Sequence, residues 1–113
     1  MANSATKHFL HQRFTAMIQV PLVIWLIVGI IRNAGATRAE FMAWISEPLT
    51  VFLLISFIVS VFYHMYLGMS EVIEDYIHKA SSRKGLVMLN ALFALILGAT
   101  ALFSIIVITI NAH

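Results

Sequence analysis

The sequence predicts an all-α membrane protein with three transmembrane helices, and two observations support that prediction. Of the 113 residues, 61% are apolar and only 11% are charged, whereas roughly 25% of the residues in an ordinary soluble domain are charged. The charged side chains are also clustered, which leaves charge-free runs of 18, 23 and 29 residues at positions 14–31, 48–70 and 85–113. A helix needs about 17 to 25 mostly apolar residues to cross a bilayer, so each run is long enough.

These runs must be helical if they cross a membrane. Lipid cannot satisfy backbone hydrogen bonds, so only helices and closed barrels span a bilayer, and a barrel needs about eight strands. We therefore predict helical spans at about 14–31, 48–70 and 86–110, within a single domain covering residues 1–113. A short amphipathic segment, with Ser4 or Thr6 as its helix cap, is expected before the first span. The first run is too long for the apolar region of a typical signal peptide.

The basic residues predict an orientation. Five of them lie on one side of a three-span chain: Lys7, Arg13, Lys79, Arg83 and Lys84. Only Arg32 and Arg38 lie on the other side. Because positive loops stay inside, the N-terminus is expected in the cytoplasm or mitochondrial matrix and the C-terminus outside. The net charge of +2 gives no indication of nucleic-acid binding, and the lack of cysteine excludes disulfides, thiolate metal sites and cysteine nucleophiles.

The second span carries a stripe of small and polar residues. Four positions, each four residues apart, share one helix face; they are Ser56, Ser60, His64 and Gly68. Such stripes commonly support simple helix packing, but an ionisable residue inside a span is by default a functional-site hypothesis. From the residues alone, His64 is a hydrogen-bonded packing residue, a proton relay or a metal ligand.

Several features favour haem among these alternatives. Neutral imidazole is a common axial ligand, with one ring nitrogen free and the other held by an acceptor, for which the carbonyl or hydroxyl group of Ser60 is within reach. Ser60 and Gly68 also leave helix surface bare for a flat macrocycle. The remaining histidines fall outside the predicted spans; they are His8, His11, His78 and His113. A second axial ligand would therefore come from another subunit. Arg13 is a candidate partner for the haem propionates, or equally a positive-inside anchor.

Tyr76 follows His64 by twelve residues, which is roughly 18 Å along a continuous helix. It is therefore expected just outside the hydrocarbon on the inner face. The helix is expected to continue through "MSEVIEDYIHKA" to Ala80, and "SSRKG" to turn the chain. A phenol can donate a hydrogen bond to a carbonyl oxygen, and a neighbouring carboxylate such as that of Asp75 can orient it or exchange a proton with it. A quinone head group under reduction needs such partners. An interfacial tyrosine is also typical of the aromatic belt of membrane proteins.

Taken together, these motifs resemble those of a known family. The stretch "HFLHQRFTA" before the first span, His64, Gly68 and the pair Asp75-Tyr76 are similar to the small membrane-anchor subunits of succinate dehydrogenase, respiratory complex II. The resemblance covers nearly the whole chain. It implies that His64 is an axial ligand of a b-type haem shared with a larger cytochrome b anchor subunit. It further implies that Tyr76 and Asp75 contact ubiquinone, and that Arg13 lies near the haem propionates.

The resemblance also implies a setting for the chain. The expected partners are the larger anchor subunit, an iron–sulfur subunit and a flavoprotein subunit, in a heteromeric helix bundle of the bacterial inner membrane or, alternatively, of the mitochondrial inner membrane. The chain would be a non-catalytic subunit serving the tricarboxylic acid cycle and respiratory electron transport. Two alternatives follow from the residues alone: a haem-free structural or assembly protein of three helices, and a transporter subunit that uses His64 as a proton relay.

Overall fold

The computed structural model describes residues 2–112, with side chains from residue 6 onward. It contains four helices: α1 (Ala2–Arg32), α2 (Arg38–Ile45), α3 (Pro48–Tyr76) and α4 (Ala80–Ala112). Three of them are long and apolar enough to cross a membrane, over Thr6–Arg32, Pro48–Tyr76 and Ala80–Ala112. The predicted all-α fold with three spans is confirmed, and the part of the chain that the structure describes holds no strand.

The N-terminal segment joins the first span without a break. Helix α1 already begins at Ala2, so Thr6 lies inside the helix and does not cap it. The side chain of Ser4 lies outside the described residues. Helix α1 then continues through Pro21 to Arg32, which makes it longer than the predicted span at both ends.

The turn between the second and third spans lies earlier than the sequence suggested. We expected α3 to continue to about Ala80 and the stretch "SSRKG" to turn the chain, but α3 ends at Tyr76 and α4 begins at Ala80. Ile77 takes an extended conformation with φ −105° and ψ 111°, and the short link after it is enough to reverse the chain. Gly85 has no positive φ, so it lies within α4 as an ordinary helical residue.

Helix α3 is the central element of the molecule. It packs against α1 on one side and α4 on the other, while the backbones of α1 and α4 lie apart over the residues that the structure describes. Helix α2 lies at the end of the bundle opposite to the N-terminus. Thr37 caps its start, because the Thr37 hydroxyl accepts a hydrogen bond from the backbone N–H of Glu40 at 3.2 Å. Trp44 of α2 lies against Gly29 of α1, where an added Cβ would be 2.5 Å from the indole Cζ2.

The side chain of Asn90 joins α4 to α3 through two hydrogen bonds. The side-chain amide of Asn90 donates to the carbonyl oxygen of Tyr66 at 3.0 Å and to the hydroxyl of Ser70 at 3.1 Å. Further along the same interface, Phe62 lies against Gly98. Many large apolar side chains elsewhere are exposed, as expected for a chain whose outer faces meet lipid or partner helices rather than water.

Candidate functional site

A row of polar and small side chains lies between α1 and α3, and we call it the α1–α3 ladder. Its members are Gln12, Thr15, Gln19, Ser60, His64 and Gly68. The three α1 members share one helix face because they are three and four residues apart. As the residue number rises along α1, the number of the partner on α3 falls, as antiparallel helices require. The stripe predicted from the sequence of α3 therefore faces protein, and that protein is α1.

His64 is held by a residue that the sequence did not single out. Its Nδ1 lies 3.0 Å from the hydroxyl oxygen of Thr15, a side chain that is only 5% exposed. The expected bond from Ser60 to the imidazole is not formed. Instead, the Ser60 hydroxyl donates to the carbonyl oxygen of Phe57 at 3.0 Å, and the Ser60 carbonyl oxygen accepts from the amide of Gln19 at 3.3 Å. A serine inside a helix readily bonds back to its own helix, whereas α1 brings a hydroxyl across to the ring.

The surface beside Ser60 and Gly68 is occupied as well. The amide nitrogen of Gln12 lies 3.3 Å from the position that a Cβ on Gly68 would take, and Gln19 reaches the backbone at Ser60. These two small residues therefore admit α1 and do not leave open helix surface for a flat macrocycle. Ser60 and Gly68 therefore serve helix packing against α1, as small-residue stripes often do.

The imidazole itself retains the features of a metal ligand. Its Nε2 makes no hydrogen bond within the described part of the chain, where the only buried side-chain polar atom without a partner is Oε1 of Gln12. Nε2 therefore reaches the surface of this half-buried residue. One nitrogen held by a hydrogen bond and the other free is the usual state of a metal-ligating histidine.

No protein-built metal cage accompanies His64. Within residues 2–112, no group of three or more His, Cys, Asp or Glu side chains lies close enough together to hold a metal ion. A haem iron takes only axial ligands from protein, because the macrocycle supplies the other donors. One imidazole from this chain is therefore compatible with the ligand needs of a haem iron, but it is too few ligands for a free metal ion.

A second histidine contact lies beside the ladder. Nδ1 of His11 is 2.7 Å from the hydroxyl oxygen of Tyr63, and the two ring centroids are 6.0 Å apart. The backbone carbonyl of His11 also lies 3.0 Å from the hydroxyl of Thr15. This pair, which the sequence did not predict, fixes α1 against α3 next to His64.

Arg13 lies close to the ladder along the chain but not on its face. At about 100° per residue, Arg13 lies roughly 200° around α1 from Thr15, and its side chain is exposed. The guanidinium group forms no ion pair with any residue that the structure describes. It is therefore available to an anionic group outside this chain.

Tyr76 and Asp75 occupy the last turn of α3. Tyr76 is 75% exposed and Asp75 is exposed too. Because α3 is one continuous helix, the twelve residues from His64 to Tyr76 correspond to roughly 18 Å along its axis. At about 100° per residue around the axis of α3, Asp75 points about 20° from the direction of His64, whereas Tyr76 points about 120° from it. Tyr76 therefore points away from α1.

The sequence did contain a signal for the missed residues. Gln12, Thr15 and Gln19 are three and four residues apart and therefore share one face of α1, just as Ser60, His64 and Gly68 share one face of α3. Rows of polar and small residues on neighbouring antiparallel helices are typical of a shared interface.

Fold and site together define a multi-pass helical membrane protein whose central helix holds a histidine within a polar helix interface. Residues 1–107 match the family model described as the succinate dehydrogenase/fumarate reductase transmembrane subunit. The chain belongs to this family.

Individual relatives carry the same description. The chain is 34% identical over 96 residues to the succinate dehydrogenase hydrophobic membrane anchor subunit of Rickettsia conorii, covering 84% of this chain and 76% of the relative. It is 32% identical over 95 residues to the Rickettsia bellii protein of the same name, with the same two coverages. The succinate dehydrogenase membrane anchor subunit of Reclinomonas americana is 26% identical over 84 residues, covering 71% and 69%. No solved structure matches the chain.

Proposed function

We propose that this membrane-anchor subunit contributes one axial ligand to a haem b and part of the ubiquinone-reduction site of a succinate:quinone oxidoreductase. The observation that supports this most is the state of His64, with Nδ1 bonded to Thr15 and Nε2 at the surface of the chain. Tyr76 lies on the same helix, at the distance expected between the lipid interior and the membrane surface.

His64 would hold the haem iron through Nε2, and the exposed Arg13 would pair with a propionate. When bound, the haem supplies one-electron exchange. The candidate span Thr6–Arg32 also contains His8 and His11, but both lie within its first six residues, so the second protein ligand of the haem iron would come from the larger cytochrome b anchor subunit. For Ser60 and Gly68 we propose an indirect part: their small size lets α1 approach α3 closely enough for Thr15 to reach the imidazole.

Tyr76 would donate a hydrogen bond from its phenol to a carbonyl oxygen of the quinone, with Asp75 as the neighbouring acid. Both side chains are exposed, so this chain would supply one wall of the pocket. The iron–sulfur subunit and the larger anchor subunit would supply the rest. Succinate oxidation itself would take place in the flavoprotein subunit, which leaves this chain without a catalytic residue of its own.

The Rickettsia relatives support a bacterial inner membrane as the location, with the mitochondrial inner membrane as the alternative. The distribution of the basic residues supports a cytoplasmic location for the N-terminus and for the link between α3 and α4. Tyr76 would then lie on the side where soluble subunits deliver electrons from succinate.

The replacement His64→Ala in the purified complex tests the ligand assignment. We expect the b-type band in the reduced-minus-oxidised absorption spectrum to be lost, because one of the two axial ligands is gone. His78→Ala is the matched control, since His78 lies in the link between α3 and α4, and it should retain the band. A full-strength band in the His64 variant would overturn the assignment.

A haem-free packing or assembly role is the second candidate, and the contact of α1 with the stripe on α3 supports it. Under this alternative, the wild-type complex would contain no b-type haem, and His64→Ala would lower the yield of assembled complex without any spectral change. The same preparations therefore separate the two candidates.

A further inference from the structure

The hydroxyl of Thr15 lies between three possible hydrogen-bond partners. Its oxygen is 2.9 Å from the carbonyl oxygen of Gln12, 3.0 Å from the carbonyl oxygen of His11 and 3.0 Å from Nδ1 of His64. A hydroxyl has one proton to donate and two lone pairs that accept. Carbonyl oxygens can only accept, so the two backbone contacts both require the single hydroxyl proton.

The two carbonyl acceptors favour one direction for the bond between Thr15 and the imidazole. With its proton directed to the carbonyl groups of its own helix, the Thr15 oxygen faces His64 as an acceptor, and Nδ1 of the ring must be the donor. In a neutral imidazole, one ring nitrogen carries the proton and the other carries a lone pair. Nε2 of His64 is therefore the nitrogen with the free lone pair.

We infer that Thr15 is a positioning residue for His64, which fixes the Nδ1–H tautomer and leaves Nε2 as the donor to iron. This inference rests on the proposed ligand role of His64. The opposite bond direction would put the proton on Nε2 and prevent that nitrogen from binding a metal. The buried position of Thr15, at 5% exposure, leaves water little access to compete for the ring nitrogen.

The hydrogen bond has a second effect, on the strength of the ligand. An acceptor at Nδ1–H raises the basicity of the imidazole, and a more basic ligand favours ferric over ferrous iron. Removing the acceptor should therefore raise the midpoint potential of the haem. Loss of such partners typically weakens metal binding about 10- to 100-fold. If binding of ferric haem alone becomes tenfold weaker, the midpoint potential of this one-electron couple rises by about 59 mV.

Potentiometric titration of the haem in the assembled complex tests the inference. Thr15→Val keeps the size of the side chain but removes the acceptor, so its midpoint potential should rise by tens of millivolts, about 59 mV for a tenfold effect. Thr15→Ser restores a hydroxyl and should return the potential to the wild-type value. Thr100→Val is the control, because it removes a similar back-bond to the carbonyl oxygen of Ile96 on a helix that does not carry His64.

Two results would overturn the inference: a wild-type potential in Thr15→Val, or a shift in Thr15→Ser as large as that in Thr15→Val. If Thr15→Val does not assemble, Thr15→Cys provides the same test, since a thiol is only a weak acceptor. His64→Ala separates the inference from the function on which it rests. Loss of the haem band in that variant together with an unshifted Thr15 variant rejects only the role of Thr15, whereas retention of the band rejects the ligand role of His64 itself.

Discussion

At the scale of the residue, a histidine in a lipid-embedded bundle needs a partner for its polar atoms, because hydrocarbon offers none. Thr15 satisfies one nitrogen of His64, and the other is at the surface of the chain. A residue that served packing alone would gain from having both nitrogens satisfied within the bundle. The half-satisfied ring is therefore better explained by a ligand that comes from outside this chain.

Tyr76, the candidate quinone contact at the end of α3, gives a second prediction for a single residue. Tyr76→Phe removes only the phenolic hydroxyl from an exposed side chain, so the fold should not change. We expect the rate of quinone reduction with succinate to fall about 10²- to 10⁴-fold if the phenol transfers a proton in the transition state. Succinate oxidation with an artificial electron acceptor should be unchanged. Tyr66→Phe is the matched control, since Tyr66 lies on α3 away from its last turn. An equal loss in both assays of the Tyr76 variant would indicate defective assembly rather than a quinone contact.

Much of the candidate site could be predicted from sequence at this scale, but its hydrogen bonds could not. His64 stood out because an ionisable side chain is unusual inside an apolar span, and Asp75 and Tyr76 stood out through their spacing from His64 and the family resemblance. Thr15 did not, because a threonine near the start of a span is ordinary by itself. Its importance depends on the register between α1 and α3, which is a property of packing and not of either helix alone.

At the scale of the element, Gly29 makes room for the side chain of Trp44, which connects α2 to α1. Trp44 lies against this glycine, and its ring is confined by Trp25 and Phe41, whose ring centroids are 6.1 Å and 5.8 Å from that of Trp44. The indole therefore has little freedom to move aside. The stretch "EFMAW" is typical of an interfacial segment with an aromatic anchor, and nothing in it indicates that a glycine on another helix receives the ring of Trp44.

This contact gives a stability prediction. Gly29→Ala places a methyl group 2.5 Å from Cζ2 of Trp44, and such overpacking costs about 1–3 kcal/mol. Gly85→Ala is the matched control, because it lies in a helix with no atom within 4 Å of the added methyl group, and it should stabilise the helix by up to about 1 kcal/mol. Thermal unfolding in detergent, followed by circular dichroism, should show a lower midpoint for the first variant and an equal or higher one for the second. Equal midpoints for the two variants would contradict the packing of Trp44 on α1.

Helix boundaries were harder to predict than the helices themselves. The apolar runs located all three spans, because bilayer thickness sets their length. The end of α3 at Tyr76 carries no glycine or proline, and the serines and Gly85 that usually mark turns lie within α4. The position of the turn places Tyr76 at the C-terminal end of α3, with no further turn of that helix after it.

At the scale of the whole molecule, the chain is a row of three spans with α3 in the middle. Neither α1 nor α4 is enclosed, and their outer faces carry many exposed apolar side chains. Such a row leaves α3 open between its two neighbours. A membrane-anchor subunit that shares a haem with a larger partner needs an arrangement of this kind, because the central helix must remain accessible to the other chain.

The most direct test of the ligand assignment is a structure of the assembled complex by electron cryo-microscopy. We predict density for a macrocycle with Nε2 of His64 on its iron, Nδ1 of His64 on the hydroxyl of Thr15, and the opposite axial ligand from the larger anchor subunit. A haem with both axial ligands from other chains, or an imidazole of His64 that is enclosed by protein with no haem beside it, would overturn the ligand assignment.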